Sequence, residues 1–224
     1  PLSPILKPAL DQPSPISYRA LGGTVWSGWI EGLRAGPDAL GRADIRLSPV
    51  SFLGGKVGLD VALSGGVAQG QGRVLKGLGA GLGVRNLVLT LDGALLARFQ
   101  TGLIGEGGQV QVKLDRLDLD RTGCTQARGS IRTDLLVSAI PGWSGPVLEG
   151  PVTCQEGRLI AVLDGLAPNL EQVSVRIEVD GTIAALSARM VTPDASLQMA
   201  LESIGFEHQG DAYVYRWSGP LVPG

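Results

Sequence analysis

Residues able to do chemistry are few in this sequence, and each has a plainer reading beside the chemical one. The single histidine, His208, lies in FEHQGDAY, so any serine or cysteine triad would have to use it. No G-x-S-x-G elbow supplies a matching nucleophile, and a lone histidine in a polar hairpin is better read as solvated. KLDRLDLDR, residues 113–121, puts Asp118 and Asp120 on one face of a strand, because side chains two apart project together. That pair could serve as a carboxylate couple or open a calcium site. Arg116 shares their face, Arg121 follows, and no glycine bends the chain as a calcium loop requires, so an outward charged face is the better account. A hydrolase resting on Asp118, Asp120 and Glu156 has no other support.

Two glycine-rich stretches imitate nucleotide loops. LSGGVAQ, residues 63–69, is like the signature loop of transport ATPases, and GLGAGLG, residues 77–83, is like a phosphate cradle. No G-x-x-x-x-G-K-[ST] accompanies them and neither joins a clear strand to a helix, so they read as turns and close backbone approaches in a sheet. Cys124 and Cys154 stand thirty positions apart with no histidine nearby, which excludes zinc-ligand and C-x-x-C redox spacings. A disulfide or two free thiols remain. The bridge is favoured, and with it an oxidising compartment. No cofactor and no metal is expected. In LGGTVWSGW, Trp26 and Trp29 sit among glycines: if Val25 points inward, Trp26 points outward and Trp29 needs a bulge or turn at Ser27-Gly28. An indole lying flat over bare glycine backbone is a packing device of curved sheets, and it is preferred here to a sugar platform.

The elements that carry these residues read as strands. Apolar residues alternate at Val57, Leu59, Val61 and Leu63, at Leu87, Leu89 and Leu91, at Val110, Val112 and Leu114, and at Val173, Val175, Ile177 and Val179. Asp92-Gly93, Asp180-Gly181 and Ser64-Gly65-Gly66 mark tight hairpin turns, so consecutive strands should be antiparallel neighbours. One segment has helical spacing: in TPDASLQMALESIGF, Thr192 can cap, Pro193 suits the first helical position, and Leu197, Ala200, Leu201 and Ile204 recur before Gly205. Weaker helical hints lie at Pro37–Gly41 and Asp134–Ile140. ALGGTVWSG from Ala20 faintly echoes ARGSIRTD from Ala127, which raises a duplicated β unit.

Composition agrees. Glycine at 34 and proline at 14 disfavour helix interiors, while 44% hydrophobic and 18% charged residues are too apolar for a disordered chain. With 19 basic and 21 acidic residues the formal charge is −2, so no positive field is available for phosphates and nucleic acid is an unsuitable partner. No apolar run is long enough to span a bilayer, and PLSPILKPALDQPSP lacks the basic start and apolar core of a signal peptide. An exported protein without such an address is expected to have lost a cleaved signal or a membrane anchor.

Taken in order, GGTVWSG from Gly22, CTQARGSI from Cys124, LEGPVTCQEGRL from Leu148, IEVDG from Ile177, and the final LESIGF and YVYRWSG make the chain resemble the periplasmic part of the type II secretion system protein N family. The similarity runs from about Tyr18 to Gly219. At Arg132-Thr133 the chain departs from the tryptophan that members tend to carry. The resemblance implies a non-enzymatic accessory component in the periplasm of a Gram-negative bacterium, anchored in the inner membrane by one N-terminal span that is absent here. Its implied partners are other secretion subunits, the secretin or the inner-membrane platform proteins. It also implies a disulfide between Cys124 and Cys154.

The expected fold is mainly β: a strongly curved antiparallel sheet, open-barrel or groove-like, with one short C-terminal helix. Residues 1–17 are expected to be a proline-rich linker, 18–219 the β domain, either one elongated sheet system or two related halves (18–120 and 121–219), and 220–224 a tail that could be vector-derived. A different class stays open beside this one. Leucine-rich alternation on a curved sheet would also suit a lipid-handling groove protein of the envelope resembling the AsmA-like or lipopolysaccharide-bridge families.

Overall fold

A computed structural model of the chain describes residues 16–36, 38–49, 55–77, 81–96, 107–137, 139–140 and 142–220. The linker up to residue 15, the tail from 221 and the centre of GLGAGLG (78–80) lie outside the described residues. The alternating runs form a single open antiparallel sheet of fifteen strands. In chain order these are β1 (Ile16–Ser17), β2 (Ala20–Gly23), β3 (Ser27–Ala35), β4 (Asp38–Ser48), β5 (Lys56–Ser64), β6 (Ala68–Gly77), β7 (Leu82–Asp92) and β8 (Gln109–Asp120). They continue as β9 (Gly123–Thr133), β10 (Leu148–Gln155), β11 (Arg158–Leu166), β12 (Gln172–Asp180), β13 (Ile183–Val191), β14 (Glu207–Gln209) and β15 (Ala212–Pro220). From β3 to β13 each strand pairs with the next in sequence, and β15 then pairs with β13. One border of the sheet is β1 with β2, both paired to β3; the other is β15, covered over three residues by β14.

Register puts the alternating apolar residues of these strands on one face, while Val88 and Val162 lie on the other, opposite Lys113 and Arg176. Ile30 opposes Ala43, Ala43 opposes Leu63, and Val61 lies between Ile45 and Gly72. Further on, Leu89 opposes Val112, Val112 opposes Ile131, and Val175 lies between Leu163 and Ala188. The sheet curls toward this inner face, and inner-face glycines mark where it does so. A Cβ at Gly70, Gly129 or Gly150 would run into a carbonyl oxygen of the neighbouring strand, that of Val88, Lys113 or Val162. Only a residue without a side chain permits that approach.

The curl encloses a packed core in its second half. Val152, Leu163, Val173 and Met190 are each at most 4% exposed and meet Leu197 and Leu201 of a helix, α2 (Ala195–Ser203). Leu201 is fully buried. In the first half the inner-face residues Ile45, Leu59, Val61, Leu63, Val74 and Leu89 keep intermediate exposure. The two halves therefore share a face, and α2 packs on that of the second.

Several sequence expectations are corrected by local hydrogen bonding. Asp194, two residues beyond Thr192, caps α2: its carboxylate accepts from Ser196 N at 2.8 Å and Leu197 N at 3.4 Å, while the Thr192 hydroxyl accepts from Asp194 N. Asp92-Gly93 is not a hairpin turn, because Asp92 accepts from Ala94 N and starts a single helical turn, α1 (Gly93–Leu96). Asp38–Gly41 belongs to strand β4, and Leu135–Val137 is a turn. Val25 is 47% exposed in the β2–β3 turn, not inward. The turns at Ser64-Gly65-Gly66 and Asp180-Gly181 are as expected.

Because Leu201 plugs the second half of the trough, Leu201→Ala should cost about 3 kcal/mol. Urea unfolding followed by circular dichroism checks this, with an unchanged m-value expected.

Candidate functional site

Cys124 is the second residue of β9 and Cys154 lies near the end of β10, and their sulfurs are bonded, with Cα atoms 5.5 Å apart. The bridge stands where the ladder between these strands stops. Paired residues run from Leu148–Thr133 to Val152–Gly129 and no further. Past that point Cys124 instead donates its N–H to Gly157 O at 2.6 Å. The disulfide thus fastens two strands that diverge beyond their last hydrogen-bonded pair, and Cys124 is itself 5% exposed within the core.

The residues singled out for chemistry are not gathered into one place. His208, in β14, is exposed and lies 4.9 Å from the ring of Tyr213. Asp118 accepts from Arg85 at 2.6 Å and from Arg116 at 2.5 Å. Asp120 binds the backbone and hydroxyl of Thr122 in the β8–β9 turn. Glu156 pairs with Arg158, which also reaches Glu178. These contacts belong to an outer face that carries cross-strand ion pairs such as Asp60–Arg73 and Arg132–Glu149, and on which Arg73, Arg85, Arg116 and Arg128 stand in register on β6 to β9 with Asp118 between two of them. Partial burial pushes the Asp118 carboxyl up, yet the bonds from Arg85 and Arg116 outweigh it and leave the group below its ordinary value. LSGGVAQ forms the β5–β6 turn, with Leu63 and Gln69 inside the strands.

Three of the four tryptophans lie against a glycine. A Cβ at Gly22 would fall 2.6 Å from the Trp29 ring, one at Gly145 2.6 Å from Trp143, and one at Gly219 2.7 Å from Trp217. Trp29 also carries the guanidinium of Arg42 at 5.5 Å on its outer-face side. Trp26 differs: it is 60% exposed in the β2–β3 turn, where the Thr24 hydroxyl accepts from the N–H groups of Trp26 and Ser27.

One feature carries no local signal in the sequence, the free border of β15. The two-residue connections Gly210-Asp211 and Gly181-Thr182 fix which backbone groups point where, since the residues flanking such a turn bond each other. Ala212 and Val214 face β14, Tyr213 and Tyr215 face β13, and by the same alternation Arg216, Ser218 and Pro220 face away from the sheet. Beyond Val214 no described strand pairs with that side of β15. Pro220, on the outward phase, has no N–H to leave unpaired. Beside this border the outer face holds a shallow depression lined by Ala185, Ser187, Arg216 and Ser218 and flanked by Arg176 and Glu178.

The described residues thus form a curled, disulfide-fastened sheet whose last long strand keeps a free border beyond Val214. The chain belongs to the type II secretion system protein N family, whose model matches residues 14–216, nearly its whole length. No curated protein and no solved structure matches it.

Two outcomes test this geometry. Replacing both cysteines with serine should lower stability by about 3.5 kcal/mol in the chain-entropy account of a thirty-residue loop, read from denaturant midpoints under oxidising conditions. Asp118 has its folded pKa below the unfolded value, so its contribution is full above the ordinary aspartate pKa of about 3.9 and is lost as pH falls through the lower, folded value. Asp118→Asn should therefore lower stability at neutral pH and flatten the loss of stability below about pH 4, measured as melting temperature against pH.

Proposed function

We propose that this chain is a non-catalytic component of the type II secretion machine, held at the periplasmic side of the inner membrane by an N-terminal span. In this reading it binds other secretion subunits, the secretin or the inner-membrane platform, by accepting one of their strands on the outward border of β15. The observation that carries the reading is that border. Arg216 and Ser218 offer N–H and C=O groups in sequence, next to a depression able to take alternate side chains of an added strand. Membership of a secretion family supports the identity of the partners. The pairing of Asp118, Glu156 and Glu178 with arginines supports a structural use of the carboxylates. Among the described residues no helix is long and apolar enough to cross a membrane.

Ser218→Pro removes one outward N–H while leaving the bonds to β13 in place. It should reduce recovery of secretion subunits with the tagged protein roughly tenfold, and Arg216→Ala, which keeps the backbone donors, should not. Equal recovery with both variants would remove the edge from the mechanism, and fractionation of the full-length protein checks the membrane anchorage.

A further inference from the structure

The inner face of β4 to β8 has a chemistry distinct from that of the β15 border. On β4 to β8 the residues pointing into the curl are hydrocarbon up to Lys76 at one end: Ile45, Leu59, Val61, Leu63, Val74 and Leu89 all lie on this face and all retain intermediate exposure. The backbone beneath them is already paired strand to strand, so the surface offers a ligand no hydrogen bonds. A peptide strand laid there would lose its own hydrogen bonds to water without replacement. A hydrocarbon chain would lose nothing.

The two mouths of this half-trough differ in charge. At the end that carries the β2–β3 and β8–β9 turns, the inner face of β6 finishes in Lys76, opposite Val57 and Leu82, with Lys56 next to Val57 at the start of β5. Both lysines are exposed, as are Val57 at 39%, Leu82 at 37% and Trp26 at 60%. The opposite mouth is edged by Asp38, Asp92 and Asp134, at the helix-bearing end of β4, β7 and β9. Cations, an exposed indole and apolar side chains at one mouth, where Asp120 is bonded to Thr122 and followed by Arg121, match the boundary between a lipid head and its tails.

We propose that the half-trough of β4 to β8 holds the acyl chain of a membrane phospholipid with an anionic headgroup, the head lying at Lys56 and Lys76 and the chain running inward past Val74 and Val61. In the second half of the molecule the same face is occupied by Leu197 and Leu201 of α2, so the chain itself shows that this surface is built to be covered by hydrocarbon. The site is independent of the β15 border.

The test uses the purified chain mixed with phosphatidylglycerol or phosphatidylcholine vesicles, which are then removed, and native mass spectrometry of the protein left in solution. One phosphatidylglycerol per chain is expected, with phosphatidylcholine taken up less. Lys56→Glu with Lys76→Glu, both on exposed positions, should reduce phosphatidylglycerol uptake roughly tenfold. With p-benzoylphenylalanine at Val61 or Leu89, light should attach lipid, and at the outer-face position Gln71 it should not. Ser218→Pro is expected to leave uptake unchanged, which separates this site from the subunit-binding edge. Absence of lipid on the unaltered chain would overturn the proposal, as would attachment at Gln71 equal to that at Val61. A secretion subunit in place of lipid attached at Val61 in envelope extracts would also overturn it, showing a partner helix as the occupant.

Discussion

A sheet with one apolar face and no second layer must hide that face by bending around it, and everything else in this molecule follows from that requirement. The bend is possible because residues such as Gly129 and Gly150 lack a side chain where adjacent strands crowd together. It brings Val152, Leu163, Val173 and Met190 into contact with a nine-residue helix that seals one half. The outer face, left to water, is held by cross-strand charge pairs such as Arg132–Glu149 and Asp60–Arg73, each individually weak at such exposure. Their use is to keep a wide solvated surface polar and in register.

Bending without closing leaves borders. A closed barrel would have no free backbone, whereas this sheet ends in β15 with Arg216 and Ser218 directed outward. The disulfide serves the same economy of layers. Where β9 and β10 stop pairing, the strands have no second sheet to hold them, and the Cys124–Cys154 bond takes over from the ladder. Curvature, covalent fastening and free border are thus three results of building from one sheet.

The strands were legible because burial on one side only leaves a period of two, clear at residues 57–63 and 173–179. The hairpin turn at Asp180-Gly181 was legible because it joins strands directly. Asp92-Gly93 misled because the same aspartate that favours a tight turn also caps a helical one, and its carboxylate chose Ala94 N. Thr192 misled similarly, since Asp194 offers a carboxylate in the better position. The indole-on-glycine packing was readable from LGGTVWSGW, although the register showed Trp29 over Gly22 and left Trp26 in solvent. The charged face of Asp118 and Arg116 was legible because they lie two apart on one strand, whereas the second partner of Asp118, Arg85, is 33 positions away and leaves no local sign. The β15 border could not be read at all: which strand lies last depends on the order of pairing, and no residue type announces it.

The order of pairing has one more consequence. Nearly every strand lies beside its predecessor, so each new strand can dock as soon as it is made available, with little chain to gather in. For a polypeptide threaded across a membrane N-terminus first, such a meander can zip up progressively from its leading end. Only the last step is different, since β15 reaches β13 across α2, and the plug of the second half arrives when the rest is already assembled.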